Sequence, residues 1–347
     1  MFAYIFKKHI ESRYNDFEVL FTKASEYSKR EIGIRSATIK DLFSSEALIY
    51  IPGGYFGQSH NENLKGSIQR FLIYYIYGLF MIIRKKPLAI IGVGAGPLER
   101  GFLKRTAVFI FNKTKIISVR DEKSQVYMED YGVKTAINVT SDSAQIIKNE
   151  INAENNLVSK ILNNIAIKNR KKILIHFTEA IGEDLYYEKV IKAIQETLCL
   201  DNNCGYIIAS DCIMKSCYLN KIYNALPKDR SVIFDYKNPM DFLGIIAGAD
   251  AIITPKLHVG ILGCTYGKPV LSFPKHPEKT ERYYQQIGYP KHCKSLYNLS
   301  KEDVKDMIEK LIWEKINLPD SIKYNAQRNF DLLDEFFSEY LLQIEKA

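Results

Sequence analysis

Hydrophobic and polar positions along this 347-residue chain fall into blocks. Short apolar runs at 47–51, 88–93, 115–119 and 135–139 each end in glycine, proline, arginine or a Thr-Ser cluster. Runs of that length bounded by turn residues predict buried strands. The stretches between them, 67–83, 98–111 and 122–131, predict helices; Asp121 stands where an N-cap belongs and Gly132 where a helix stops. A second series starts at 173. It predicts strands 173–177, 205–209, 231–234, 251–254 and 269–273, with helices 185–198, 214–225, 239–247 and 257–266 between them, and two closing helices at 300–313 and 321–345. Alternating strands and helices of this kind imply an α/β fold built on mostly parallel sheets.

The first 46 residues are weakly patterned, and 150–170 is polar and rich in Asn and Lys. The expected organisation is therefore an N-terminal Rossmann-like domain at 1–150, a connection at 151–170 and a C-terminal Rossmann-like domain at 171–320. A terminal helix at 321–347 is expected to return to the first domain. One block stands apart. Residues 71–83 are thirteen uncharged positions between Arg70 and Arg84-Lys85-Lys86. A membrane span needs about 20 apolar residues, so this run predicts a buried helix, with an interfacial membrane contact as the alternative.

Composition is that of a globular protein, 46% hydrophobic and 25% charged, with a formal net charge of +8. The excess is spread along the chain, without an arginine-rich run or nucleic-acid motif, so it fits an anionic small substrate or an anionic membrane face and argues against nucleic acid. Six cysteines are present and four of them lie within 199–217, but their spacing matches no common zinc pattern and no metal is expected. No apolar core of signal-peptide length opens the chain, which fits a cytoplasmic location.

The densest candidate chemistry lies in 249–284, a strand–turn–helix–strand unit. Lys256 and His258 occupy the turn, where a strand's carboxyl end meets a helix N-terminus; unpaired N–H groups and the helix dipole favour anions there. Lys275, His276 and Lys279 follow the next strand. Arg120 and His176 also stand at strand ends, and Asp142 sits in the Thr-Ser-Asp-Ser turn, where it suits a helix cap or a base. Gly53, Gly54, Gly94 and Gly96 come directly after strands and let backbone approach a ligand closely. The GVGAGP run lacks the third glycine and the acidic ribose ligand of a dinucleotide fingerprint, so it is weak as a nucleotide signal.

Four stretches carry a resemblance: 90–98 (IIGVGAGPL), 117–124 (ISVRDEKS), 139–144 (VTSDSA) and 249–279. Together, over about residues 47–289, the chain resembles the polysaccharide pyruvyl transferase family. The resemblance implies two Rossmann-like domains facing across a cleft, the GT-B-like glycosyltransferase architecture, with acceptor on the N-terminal side and donor on the C-terminal side. It implies transfer of a pyruvyl group from phosphoenolpyruvate, as donor substrate and without a cofactor, to a sugar or lipid-linked glycan acceptor of a capsule, exopolysaccharide or cell wall. Such work belongs in the cytoplasm, with room for peripheral contact at the inner membrane face. In that chemistry His258 is the expected acid, Asp142 the base, and Lys256, Arg120 and Lys275 the anion anchors, with His176 and Lys279 beside them. The sequence departs from the family pattern in three places. No Asn-Ile-Gly-Asp turn opens the chain, Lys256 replaces an arginine, and His176 stands where arginine is common. A lysine keeps the charge but loses the guanidinium fork. Two other readings therefore stay open: a nucleotide-sugar-dependent glycosyltransferase, and a non-catalytic glycan-binding relative.

Overall fold

Continuous apolar strands need cover on both faces, and parallel sheets flanked by helices provide it. The computed structural model describes residues 2–22, 29, 33–58, 62–150, 156–178, 183–211, 216–275 and 277–341. His276 lies outside them, as does Cys212, one of the four cysteines within 199–217. The chain divides into two units, Met1–Ser143 with Asp320–Ala347, and Ala144–Pro319.

The first unit holds a four-stranded parallel sheet in the order Leu48–Tyr50, Leu88–Val93, Ile116–Val119, Asn138–Val139. All six residues of Leu88–Val93 are buried. The weakly patterned N-terminus has a helix, Phe2–Arg13, that packs on the terminal helix Asp320–Tyr340 through Phe6 against Phe330, and Tyr14, just past its end, stacks on Phe337 at 4.3 Å. Asn329 of that terminal helix is fully buried. Its side-chain oxygen accepts from Ser118 Oγ at 2.9 Å and Thr140 Oγ1 at 2.8 Å, and its Nδ2 donates to the Ser141 carbonyl at 2.8 Å. One amide thus ties the helix to the ends of two strands.

The thirteen-residue apolar run is part of a longer helix, and this corrects the expectation of a buried one. Asn63 caps the helix by accepting from Gly66 N–H, and the helical run continues from Leu64 through a π-helical turn at Phe71–Tyr75 to Ile83. Ser67, Tyr75, Gly78 and Met81 face the core, while Leu64, Ile68, Leu72, Ile76 and Ile83 are exposed. Among the described residues, one helix, 64–83, is long and apolar enough to cross a membrane by length and composition.

The second unit holds five parallel strands in the order Val270–Ser272, Ala251–Thr254, Lys171–Phe177, Cys204–Ser210, Ser231–Phe234. Lys171–Phe177 is its first strand in sequence and lies in the middle. The chain builds outwards on one side of it, then returns to add Ala251–Thr254 on the other. That reversal between Lys171–Phe177 and Ala251–Thr254 is a topological switch point, where loops diverge and leave a crevice at the carboxyl ends. Each of the two units is thus Rossmann-like, an α/β layer on a parallel sheet.

Candidate functional site

The switch point of the second unit collects chemistry. His176 is the last residue but one of its strand, at register with Ala209, and its side chain is fully buried. His176 Nδ1 lies 2.8 Å from Thr254 Oγ1, and Nε2 lies 3.5 Å from Asp211 Oδ1. Asp211 follows Cys204–Ser210, and its other oxygen pairs with Lys256 Nζ. The Lys256 backbone N–H in turn donates to Thr254 Oγ1 at 3.1 Å. The four residues therefore close a ring that begins and ends at Lys256.

Thr254 Oγ1 accepts from the Lys256 N–H and also bonds His176 Nδ1, while His176 Nε2 faces the Asp211 carboxylate. Burial lowers the His176 pKa, as does the Lys256 charge, against the opposing pull of Asp211; the ring is neutral at physiological pH. Burial alone raises the Asp211 pKa, but His176 and Lys256 outweigh it, and the carboxyl is held below its ordinary range as a carboxylate. The Lys256 ammonium, half-buried and paired with Asp211, thus belongs to the residue at the N-cap of helix Leu257–Thr265.

His258 is the second residue of that helix and is half-buried. Lys275 comes three residues after Val270–Ser272, the strand paired to Ala251–Thr254 with Thr254 opposite Ser272, so Lys256 and Lys275 leave neighbouring strand ends. Lys279 lies in the first turn of helix Pro277–Gln286. Phosphate or carboxylate groups suit such a place, since a helix N-terminus and lysines add at one point.

The first unit places its candidates differently. Arg120, 8% exposed, pairs with Asp142, 3% exposed, through Nη1 to Oδ2 at 3.1 Å, and its Nε lies 3.9 Å from Asp121. Asp142 is thus in a buried ion pair, in the turn before the helical residues Ser143–Ile146. The glycines make room for side chains. A methyl group at Gly94 would lie 3.0 Å from the Arg120 guanidinium, one at Gly96 would strike the Tyr127 ring at 2.4 Å, and one at Gly53 the Tyr55 ring at 2.5 Å. Gly96 also has a φ of +62°, which favours glycine by itself. The exposed Gly54 offers its carbonyl to Arg70 at 3.4 Å. A cavity of about 470 Å³ in this unit, lined by aromatic residues such as Phe6, Phe17, Tyr50 and Tyr74, includes none of the candidate residues.

Two members of the ring were absent from the sequence reading, Asp211 and Thr254. Asp211 had the signal used for Arg120 and His176, a polar residue just past a strand. Its partners are 35 and 45 positions away, and spacing does not announce them.

The family model for polysaccharide pyruvyl transferase matches residues 1–277. The chain belongs to this family. Among curated proteins, the amylovoran biosynthesis protein AmsJ of Erwinia amylovora is 23% identical over 299 residues, covering 78% of this chain; the chain spans 65% of that relative's length. The polysaccharide pyruvyl transferase chain is also similar in fold to solved structures. The S. aureus MnaA–UDP co-structure has a TM-score of 0.64 at 12% identity, covering 97% of this chain and 94% of that one. A UDP-N-acetylglucosamine 2-epimerase described as putative, from Listeria monocytogenes, has a TM-score of 0.61 at 14% identity, covering 86% and 76%. At such identities the likeness is one of fold, GT-B-like α/β, and family membership supports a role in polysaccharide modification.

Proposed function

We propose that this chain transfers a pyruvyl group from phosphoenolpyruvate to a sugar of a surface polysaccharide or its lipid-linked precursor, forming a pyruvate ketal. The observation that carries the reading is the Thr254–His176–Asp211–Lys256 ring at the switch point, which fixes the lysine that begins helix Leu257–Thr265. A donor with two anionic groups suits that arrangement, and family membership supports its being phosphoenolpyruvate.

In this reading Lys256 and Lys275 hold the phosphate and carboxylate, and His258 delivers a proton to the methylene carbon. The cation that develops at the central carbon is attacked by one sugar hydroxyl. The C–O bond to phosphate then breaks, and a second hydroxyl of the same sugar closes the ketal. Of the two hydroxyl protons, one restores His258 and one leaves with hydrogen phosphate, so the balance needs no cofactor. His176 touches no donor; fully buried, it acts as a positioning residue by fixing Asp211 and, through it, Lys256. Asp142 orients the Arg120 guanidinium over Gly94 instead of serving as a free base.

The test is release of inorganic phosphate from phosphoenolpyruvate with a panel of free and lipid-linked sugars, with mass analysis of the product. Each phosphate should accompany one pyruvyl group on sugar. Turnover of a UDP-sugar with no use of phosphoenolpyruvate would make the chain a glycosyltransferase. Glycan binding without either turnover would make it a non-catalytic relative.

A further inference from the structure

Helix 64–83 keeps one face in the core of the first unit and turns another outwards. The outward row is Leu64, Ile68, Leu72 and Ile76, spaced four apart, followed by Ile83; Leu72 is 54% exposed and Ile83 80%. A purely α-helical i, i+4 row drifts round the helix. The π turn at Phe71–Tyr75 packs more residues per turn and sets the row back in line. The row does not end at the helix. The exposed Phe43 ring meets Phe80 edge-on at 5.1 Å, carrying the surface on to Ile39, which is 77% exposed. On the other side Phe71 lies 6.0 Å from Phe102, itself partly exposed at the start of helix Gly101–Lys113. An apolar surface of this extent marks an interaction site.

Charge around this surface is predominantly positive: Asp41, between Ile39 and Phe43, pairs with Arg35, and Glu99, three positions before Phe102, is an exposed acid. Segments 63–86 and 100–115 contain no Asp or Glu, and the exposed residues of both include Lys65, Lys85, Arg105 and Lys113. The Glu62 carboxylate just before the helix is occupied by Arg70, at 2.6 Å, and Glu46 by Lys86. An apolar row edged by free cations is complementary to a surface that is apolar inside and anionic outside. We propose that the exposed face of helix 64–83, with Ile39, Phe43 and Phe102, docks on an anionic lipid bilayer, lying in the interface along its length.

Spanning is the wrong geometry for this helix despite its length. Ser67, Tyr75 and Met81 are buried against the rest of the first unit, and Tyr50 donates to the Tyr74 carbonyl at 2.8 Å. Insertion across a bilayer would strip these contacts, whereas surface docking leaves them intact. The inference rests on the exposed row and its cations, and stands whether or not the chain transfers pyruvyl groups.

Vesicle flotation with the full chain tests it. Vesicles of phosphatidylcholine with about a third phosphatidylglycerol should carry the protein upwards at low salt. Pure phosphatidylcholine vesicles should carry little, and raised salt should weaken the anionic binding. Leu72→Ser with Ile76→Ser, and separately Lys85→Glu with Arg105→Glu, should each reduce binding at least tenfold. Both pairs are on the surface, and circular dichroism should match the parent. Phosphate release with a short soluble acceptor should be the same in both variants as in the parent, which separates docking from catalysis. Wild-type protein that stays with the soluble fraction, or variants that float like the parent, would overturn the proposal. So would concentration-dependent self-association abolished by Leu72→Ser with Ile76→Ser, since the occupant would then be a second copy of the chain.

Discussion

The Lys256 ammonium and the Asp211 carboxylate, 45 positions apart, form an ion pair, and this pair fixes where the second unit presents positive charge. Asp211 orients Lys256 but also offsets part of its charge, so Asp211→Asn has two opposed effects on an anionic donor. An anion beyond Lys256 lies about twice the ion-pair distance from Asp211, where repulsion at a mostly buried carboxylate is about 3 kcal/mol. Releasing a lysine side chain gives up about 2 kcal/mol of ordering. The loss of repulsion wins by about 1 kcal/mol, so the donor KM should fall about fivefold with kcat little changed. A higher KM in Asp211→Asn would show instead that the orientation of Lys256 matters more than the charge it loses to the pair.

His176 gives the molecule a pH signature. Burial, assisted by Lys256, lowers its pKa in the fold, while Asp211 pulls the other way. The unfolded chain, with an ordinary histidine near 6.5, therefore takes up a proton first as pH falls. Stability from this group is full above about pH 6.5 and declines as pH falls from there towards the folded pKa. Thermal melts should show Tm falling below about pH 6.5, and His176→Gln should remove that slope. The Asp211 contribution is separate, because a lowered carboxylate pKa matters only below its ordinary value of 3.8. An unchanged slope in His176→Gln would assign the effect to another group.

Arg120 and Asp142 bear on the stability of the first unit. Both are buried, with Nη1 and Oδ2 3.1 Å apart. Removing one partner of a buried pair costs about 3–5 kcal/mol, because the other charge stays behind. Arg120→Met and Asp142→Leu should each lower the urea midpoint strongly. The double variant should recover part of the loss, since the two buried charges of the pair go together. Single variants with near-native midpoints would mean that water reaches the pair.

These relationships explain what could be read from sequence. The strands were legible because each is a short apolar run closed by a turn residue, as with Leu88–Val93 before Gly94 and Ala251–Thr254 before Pro255. Strand order was not, because periodicity carries no record of which strand lies beside which. The placement of Lys171–Phe177 between Cys204–Ser210 and Ala251–Thr254 creates the switch point and brings His176, Asp211 and Lys256 together. Position at a strand end singled out His176 and Lys256, but their common partner required tertiary structure. The same holds for the N-terminus. Phe2–Arg13 shows little amphipathic pattern because part of its order comes from Phe330 and Asp334, more than 300 positions away. Helix 64–83 misled for a different reason: uniform apolarity reads as burial, although here it serves two faces with different surroundings.

Lys256 and His258 carry the sharpest prediction. Lys256 ends a strand turn and caps helix Leu257–Thr265; His258 sits inside the first turn of the same helix. If the donor is phosphoenolpyruvate, Lys256→Ala removes binding shared by ground and transition states. It should mainly raise the donor KM. His258→Gln removes a proton donor used only in the chemical step and should lower kcat by about 10²–10⁴-fold at similar KM. Lys256→Arg separates charge from shape. It restores the residue common in the family and a planar fork that binds phosphate or carboxylate through two hydrogen bonds. Asp211 can accept from that fork as it does from the ammonium, so the ring need not open. Activity should hold or rise. A loss as deep as that of Lys256→Ala would mean that the site is shaped for another anion, and competition binding with phosphoenolpyruvate and with a UDP-sugar would then identify which. If His258→Gln left kcat unchanged, the acid would have to be sought elsewhere. His176 would remain a positioning residue, because its imidazole is fully enclosed and its Nδ1 is occupied by Thr254.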